Sequence, residues 1–271
     1  MRVLSVLATA FILAFILVVI VSCSGQKNNR LSSLPTDIRT QVEEALSAVQ
    51  FSDTDRERVL DAINKDPSGF VVLFREVCEV MKKDPELLCR VDKQKALSAQ
   101  YVPMDLVDLD GAFPYIVSKK GMKLRKPAQE ALVRMAEMAK KDGITLVVSS
   151  AYRSYDYQKT VFEQNVNEMG KAEAERVSAV PGMSQHQLGT AVDFGSISDE
   201  FAGSAAERWL ASNAGKFGFS LSFPKDMENI TGYKWESWHY RYISPPAVEL
   251  QERFFLGIQQ YLIEFLAALP N

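Results

Sequence analysis

The chain has only two histidines. Each sits in a short aromatic segment that also carries a carboxylate: SQHQLGTAVDF (184–194) holds His186 and Asp193, and ESWHYRYI (236–243) holds Glu236 and His239. This pairing constrains the fold more than any other feature, because side chains that work together must be gathered from distant parts of the chain. Two neutral imidazoles and one carboxylate form a three-ligand set suited to zinc and leave a fourth position for water. Such water has its pKa drawn down to about 7, so hydroxide is available at neutral pH. A base is then needed beside it. Glu236 can supply one if the chain turns before His239; strict strand alternation would put the two side chains on opposite faces, so Glu236 is expected on a turn just ahead of the strand. Gly189 permits a tight backbone course between His186 and Asp193. Taken singly, a histidine is more often a core or surface residue than a ligand, so the weight rests on the conjunction.

The surrounding pattern reads as α+β. Residues 36–95 read as helical, with Ile38, Val42, Leu46 and Val49 on one stripe, VLFREVCEVM on another, and a break at Asp84-Pro85. A further helix is expected over 127–142, with Leu132, Met135, Ala136 and Met138 turned inward and Gly143 as its stop. ITLVVSS (144–150) reads as a core strand, and it delivers AYRSYDYQ with Arg153 at the strand end and Ser154 as a helix N-cap. TAVDF, FSLSF (219–223) and WHYRYI are the other strand candidates; SAAE (204–207) has capping-box spacing, and residues 247–269 read as one apolar-faced final helix.

The amino terminus differs in kind. Met1-Arg2 precede an uncharged apolar run, Val3 to Val21, and composition turns polar at SCSGQKNN. This is the anatomy of an export signal. At about 1.5 Å per residue the run would make about 28 Å of helix, so a retained membrane anchor is a second reading and plain secretion a third. IVSC, ending in Cys23, resembles the lipobox of bacterial lipoproteins, in which the cysteine is lipidated. The expectation is therefore a signal peptide over 1–22, a membrane-tethered lipoprotein beginning at Cys23, a polar tether to about residue 35, and an extracytoplasmic domain in the cell envelope. Cys78 and Cys89 then remain as an even pair outside the cytoplasm, which favours a disulfide. The alternative is two buried thiols, because Cys78 continues the apolar spacing of Val71, Phe74 and Met81.

Taken together, the motifs resemble those of the zinc D-alanyl-D-alanine carboxypeptidase family that includes VanY. The family's SxHxxGxAxD is matched by Ser184, His186, Gly189, Ala191 and Asp193, and its ExWH by Glu236, Trp238 and His239. SAYRSYDYQ is similar to its SGYRSYxxQ, with Ala151 where glycine is usual, and YVPMDLVDL (101–109) resembles its opening segment. The resemblance spans roughly residues 90–243. It implies a small antiparallel sheet carrying the zinc site, flanked by helices as in hedgehog and D-Ala-D-Ala-peptidase folds. Residues 90–245 would be the catalytic domain, with a helical region before it (36–89) and a C-terminal helix after it (246–271).

By the same resemblance, one Zn2+ would be held by His186, Asp193 and His239, and a zinc-bound water activated by Glu236 would hydrolyse the terminal D-amino acid from peptidoglycan stem peptides. Arg153 would either clamp the substrate carboxylate or stabilise the oxyanion. Gln158, Ser184 and Trp238 would line the substrate; for Gln158 and Ser184, helix capping and turn support are the competing roles. Alternatives of scission are an L,D-carboxypeptidase or an endopeptidase, and a non-catalytic zinc module binding the cell wall is the alternative of class. A net charge of −3 with no basic run excludes the footprint of a nucleic-acid binder. A monomer is expected.

Overall fold

The computed structural model describes residues 31–270, so the expected export signal, Cys23 and the start of the expected tether lie outside the described residues. Three helices come first: α1 (Thr36–Ala48), α2 (Asp53–Lys65) and α3 (Pro67–Lys83). Ser52 caps α2 by accepting from the backbone N–H of Asp55, and Asp66 caps α3, whose first residue is a proline already set at helical φ. The helix stops at Asp84-Pro85 as the sequence predicts, with the Asp84 carboxylate accepting from the N–H groups of Glu86 and Leu87.

Short strands follow, β1 (Leu106–Asp108), β2 (Ile116–Val117) and β3 (Lys123–Arg125). Then come α4 (Lys126–Lys141), β4 (Val147–Ser150), α5 (Tyr155–Met169), α6 (Lys171–Val177) and β5 (Ala191–Phe194). The chain continues through α7 (Ala205–Asn213), β6 (Phe219–Leu221), α8 (Glu228–Thr231), β7 (His239–Tyr242), α9 (Pro245–Phe254) and α10 (Gln259–Ala267). The α+β class follows the sequence reading. Met138 of α4 does not: the buried stripe runs through Ala128, Ala131, Leu132, Met135, Ala136 and Ala139, and Met138 falls beside it, exposed.

Five strands form one sheet in the order β2-β4-β5-β7-β6. All neighbours are antiparallel except the edge pair β2 and β4. The register sets the site: Asp193 lies opposite His239 across β5 and β7, and opposite Ser150 across β5 and β4. One row across three strands thus carries three polar side chains, while Val148, Val192 and Tyr240 are buried in the core.

Helices α3, α9 and α10 share an aromatic core. Phe70 of α3 stacks on Phe74 and meets Phe254 of α9 edge-on, and Phe74 meets Phe265 of α10. The single final helix expected over 247–269 is two helices. Leu256 and Gly257 both take left-handed φ, 59° and 70°, which ends α9 and folds α10 back over the core.

The expected Cys78–Cys89 bridge is not formed; both are free thiols. Cys78 sits on α3 half-buried against the core, the packing role its apolar spacing also allowed, and the Cys89 thiol faces the carbonyl of Arg90 at 3.7 Å. Alkylation of denatured, unreduced protein should therefore label both cysteines, read by peptide mass. A peptide pair joined at these residues would contradict the structure.

Candidate active site

A 3-10 turn, Gln185–Leu188, precedes β5 and presents His186 to the row of residues on the sheet. Ser184 starts this turn by accepting from the His186 N–H at 3.3 Å, and Gly189 ends it in the left-handed region at φ 68°. A Cβ at Gly189 would lie 2.9 Å from Leu106 Cδ2 and 3.0 Å from Arg125 Cγ, so both conformation and space demand glycine. Gly189→Ala should cost about 1–3 kcal/mol of stability in urea denaturation. An unchanged midpoint would show that the turn relaxes freely.

The three ligand candidates converge. One ligand atom from each of His186, Asp193 and His239 lies within 4.8 Å of the others, and all three residues are buried. His186 Nδ1 lies 2.7 Å from the Ala151 carbonyl, which can only accept, so Nδ1 carries the proton and Nε2 turns a lone pair to Asp193 Oδ2 at 3.1 Å. His239 Nε2 meets Gln185 Oε1 at 3.1 Å, which leaves Nδ1 as a lone pair facing Asp193 Oδ1 at 2.9 Å. Two lone pairs and a carboxylate thus point at one another with no proton between them. Such a donor set fits a divalent cation, and in this arrangement the outer hydrogen bonds hold both imidazoles in the ligating tautomer.

Electrostatics favour the charged form of Asp193. Burial alone would push the Asp193 carboxyl up, but His186 and then His239 outweigh it and hold the group well below the usual carboxylate range. Burial pushes the His186 imidazole down, against the pull of Asp193. The imidazole stays neutral and the carboxylate charged, the forms a metal requires.

Glu236 lies on the turn ahead of β7, as its expected role requires: the His239 N–H donates to the Glu236 carbonyl at 3.3 Å, closing the turn. This puts Glu236 Oε2 3.6 Å from His239 Nδ1, beside the ligand set and outside it. Burial and the nearby Asp193 charge raise its carboxyl pKa well above normal, while Arg153 lowers it. A carboxyl perturbed in this way suits proton transfer near neutral pH.

Arg153 leaves the end of β4 with its guanidinium braced on two sides. Nη1 donates to Gln158 Oε1 at 2.7 Å and Nη2 to Ser150 Oγ at 3.1 Å, with Asp193 Oδ2 at 4.0 Å. Gln158 is completely buried on α5 and its amide nitrogen donates to the Ala179 carbonyl at 2.6 Å, so the hydrogen bonds expected for substrate go to the arginine and the backbone instead. Ser184 both caps the turn and lines the cavity. Trp238 also lines it. The cavity, about 450 Å³, reaches the triad between walls that include Arg153, Tyr233 and Glu236.

Three contributors escaped the sequence reading. Gln185 Oε1 lies 3.1 Å from His239 Nε2, Ser150 braces Arg153, and the Phe223 ring packs 4.8 Å from the His239 ring. Ser150 was within reach, since it ends the strand just before Arg153. Gln185 and Phe223 carry no local signal, because their roles depend on strand register.

A family model described as "VanY: D-alanyl-D-alanine carboxypeptidase" matches residues 121–245, which hold both histidine segments, the YRS arginine and Glu236. The chain is 36% identical over 189 residues to YodJ of Bacillus subtilis (strain 168), a protein that bears the name of a carboxypeptidase, covering 68% of this chain and 69% of that one. Among solved structures, the LdcB LD-carboxypeptidase aligns with a TM-score of 0.60 at 35% identity, covering 69% of this chain and 89% of that one. A VanY D,D-pentapeptidase from a VanB-type vancomycin resistance cassette, solved in complex with Zn(II) as an E175A mutant, aligns with a TM-score of 0.55 at 32% identity, covering 67% of this chain and 99% of that one. Helices α1–α3 and α10 and the edge strand β2 lie outside the family match, α9 begins at its last residue, and the strands β4–β7 that carry the ligand row lie within it. Sequence, fold and the convergent ligand row agree: this chain is an enzyme of the VanY D-alanyl-D-alanine carboxypeptidase family.

Proposed function

We propose that the protein is a zinc-dependent carboxypeptidase that removes the terminal D-alanine of peptidoglycan stem peptides. The observation that carries this reading is Glu236, a half-buried carboxylate beside three converging ligand atoms and outside their set. A structural metal site or a wall-binding module has no use for such a group. The VanY relative solved with Zn(II) supports the choice of metal, as do two imidazoles with one carboxylate.

His186 Nε2, Asp193 and His239 Nδ1 would hold the ion. When bound, zinc would supply Lewis-acid chemistry, acidifying water and polarising the amide carbonyl. Glu236 takes the proton of the attacking water on a carboxylate oxygen and returns it to the departing amine nitrogen. Arg153, held by Gln158 and Ser150, offers its remaining N–H groups to the terminal carboxylate or to the oxyanion that develops one residue away. Trp238 and Tyr233 form apolar wall.

A second reading has a specific basis. The LdcB likeness favours an L,D-carboxypeptidase, with the same residues acting on tetrapeptide stems. Mass spectrometry of synthetic penta- and tetrapeptides treated with zinc-loaded protein separates the two. Release from the pentapeptide alone fits the D,D reading, release from the tetrapeptide alone fits the L,D reading, and release from neither rejects both.

We also propose that Cys23 anchors the enzyme to a membrane through a lipid, which would hold it beside a cell-wall substrate. Support comes from the sequence Ile20 to Cys23 and the apolar run before it. Radiolabelled fatty acid should enter the protein and be lost in Cys23→Ala.

A further inference from the structure

The outer hydrogen bonds of His239 do not stop at Gln185. Ser222 Oγ lies 2.7 Å from Gln185 Oε1 and 3.1 Å from Oε1 of Gln259, a residue of the C-terminal helix α10. The Gln259 amide is fixed with its oxygen toward Ser222, because its nitrogen donates to the Ser220 carbonyl at 3.2 Å. Gln185, Ser222 and Gln259 are all buried, with exposures of 8%, 3% and 2%. Two carbonyl oxygens therefore compete for the one hydroxyl proton of Ser222.

Two arrangements satisfy different groups. With the Ser222 proton on Gln185 Oε1, that oxygen also accepts from His239 Nε2–H, Nδ1 is free to ligate, and Gln259 Oε1 loses its donor. With the Ser222 proton on Gln259 Oε1, the Gln185 amide turns over and its NH2 donates both to Ser222 Oγ and to His239 Nε2. His239 then carries its proton on Nδ1 and donates it to Asp193, which takes the ligating lone pair away from a metal. One proton leaves Nδ1 and one arrives at Nε2, so the imidazole stays neutral throughout.

We propose that Gln185 is the positioning residue that selects the His239 tautomer, and that Gln259, from a helix outside the family match, opposes it by competing for the Ser222 proton. The C-terminal helix pair thereby tunes how tightly the centre holds its metal. This inference rests on the metal reading given above.

Chelator competition on the full chain gives the zinc dissociation constant, and 15N-histidine NMR reads the tautomers directly, since the chain has only two histidines. In Gln185→Glu the carboxylate can only accept, so the metal-free protein should hold His239 as Nε2–H and bind zinc about 10-fold or more tighter. Gln259→Met removes the competing acceptor and should tighten zinc about 5-fold. Metal-free wild type should hold His239 in both forms, Nε2–H in the arrangement with Gln185 Oε1 toward the ring and Nδ1–H in the turned-over one, and loading should leave Nε2–H alone. Failure of either variant to tighten zinc, or a metal-free wild-type His239 held wholly as Nε2–H, overturns the proposal. Wild-type protein that binds no zinc overturns the metal reading instead.

Discussion

In Glu236→Gln, hydrolysis of the stem peptide is expected to fall by about 10²–10⁴-fold while one zinc per chain is retained. The amide keeps the size of the side chain and its place on the turn before β7, but it cannot take a proton. The proposed ligand set is His186, Asp193 and His239, so loss of the Glu236 charge would leave all three in place. Metal content and kcat measured on the same preparation test both halves. Near-normal turnover would remove Glu236 from the mechanism, and loss of zinc would make it a ligand.

The second large effect is at Arg153. Replacing it by methionine should lower kcat/KM by about 10²–10³-fold, because whichever of its two roles applies, a charged fork aimed at developing or terminal negative charge is lost from the cavity. A pH shift accompanies this. Glu236 must be ionised to act as base; burial and the Asp193 charge hold its pKa high, and Arg153 pulls it down. Without the guanidinium that pKa rises further, so the acidic limb of the kcat/KM profile should move to higher pH. A limb that stays in place would show that Arg153 does not act on Glu236. A rise in KM with kcat kept would assign the arginine to the substrate carboxylate, and a fall in kcat alone would assign it to the oxyanion.

The site was legible in the sequence to the extent that its logic is local. His186, Gly189 and Asp193 lie within one turn and one strand, and Glu236 and His239 are joined by a single tight turn, so spacing and residue type alone could position them. What depends on strand register was not legible. Gln185 reaches His239 only because β5 pairs with β7, and Gln158 turns to Arg153 because α5 packs it away from solvent. The helices were foreseen by period, but the break at Leu256-Gly257 was not, since a leucine in the left-handed region carries no sequence signature. The disulfide expectation rested on compartment and parity, and these say nothing of where a thiol points.

The central claim is that one metal ion held by His186, Asp193 and His239 makes this cavity hydrolytic. Zinc titrated into metal-free protein, with D-alanine release from a synthetic pentapeptide followed by mass spectrometry, tests it most directly. Release should be absent without metal and rise to a plateau at one equivalent per chain. Full release by the metal-free protein, or a plateau that persists when His186 and His239 are both replaced by alanine, would contradict it.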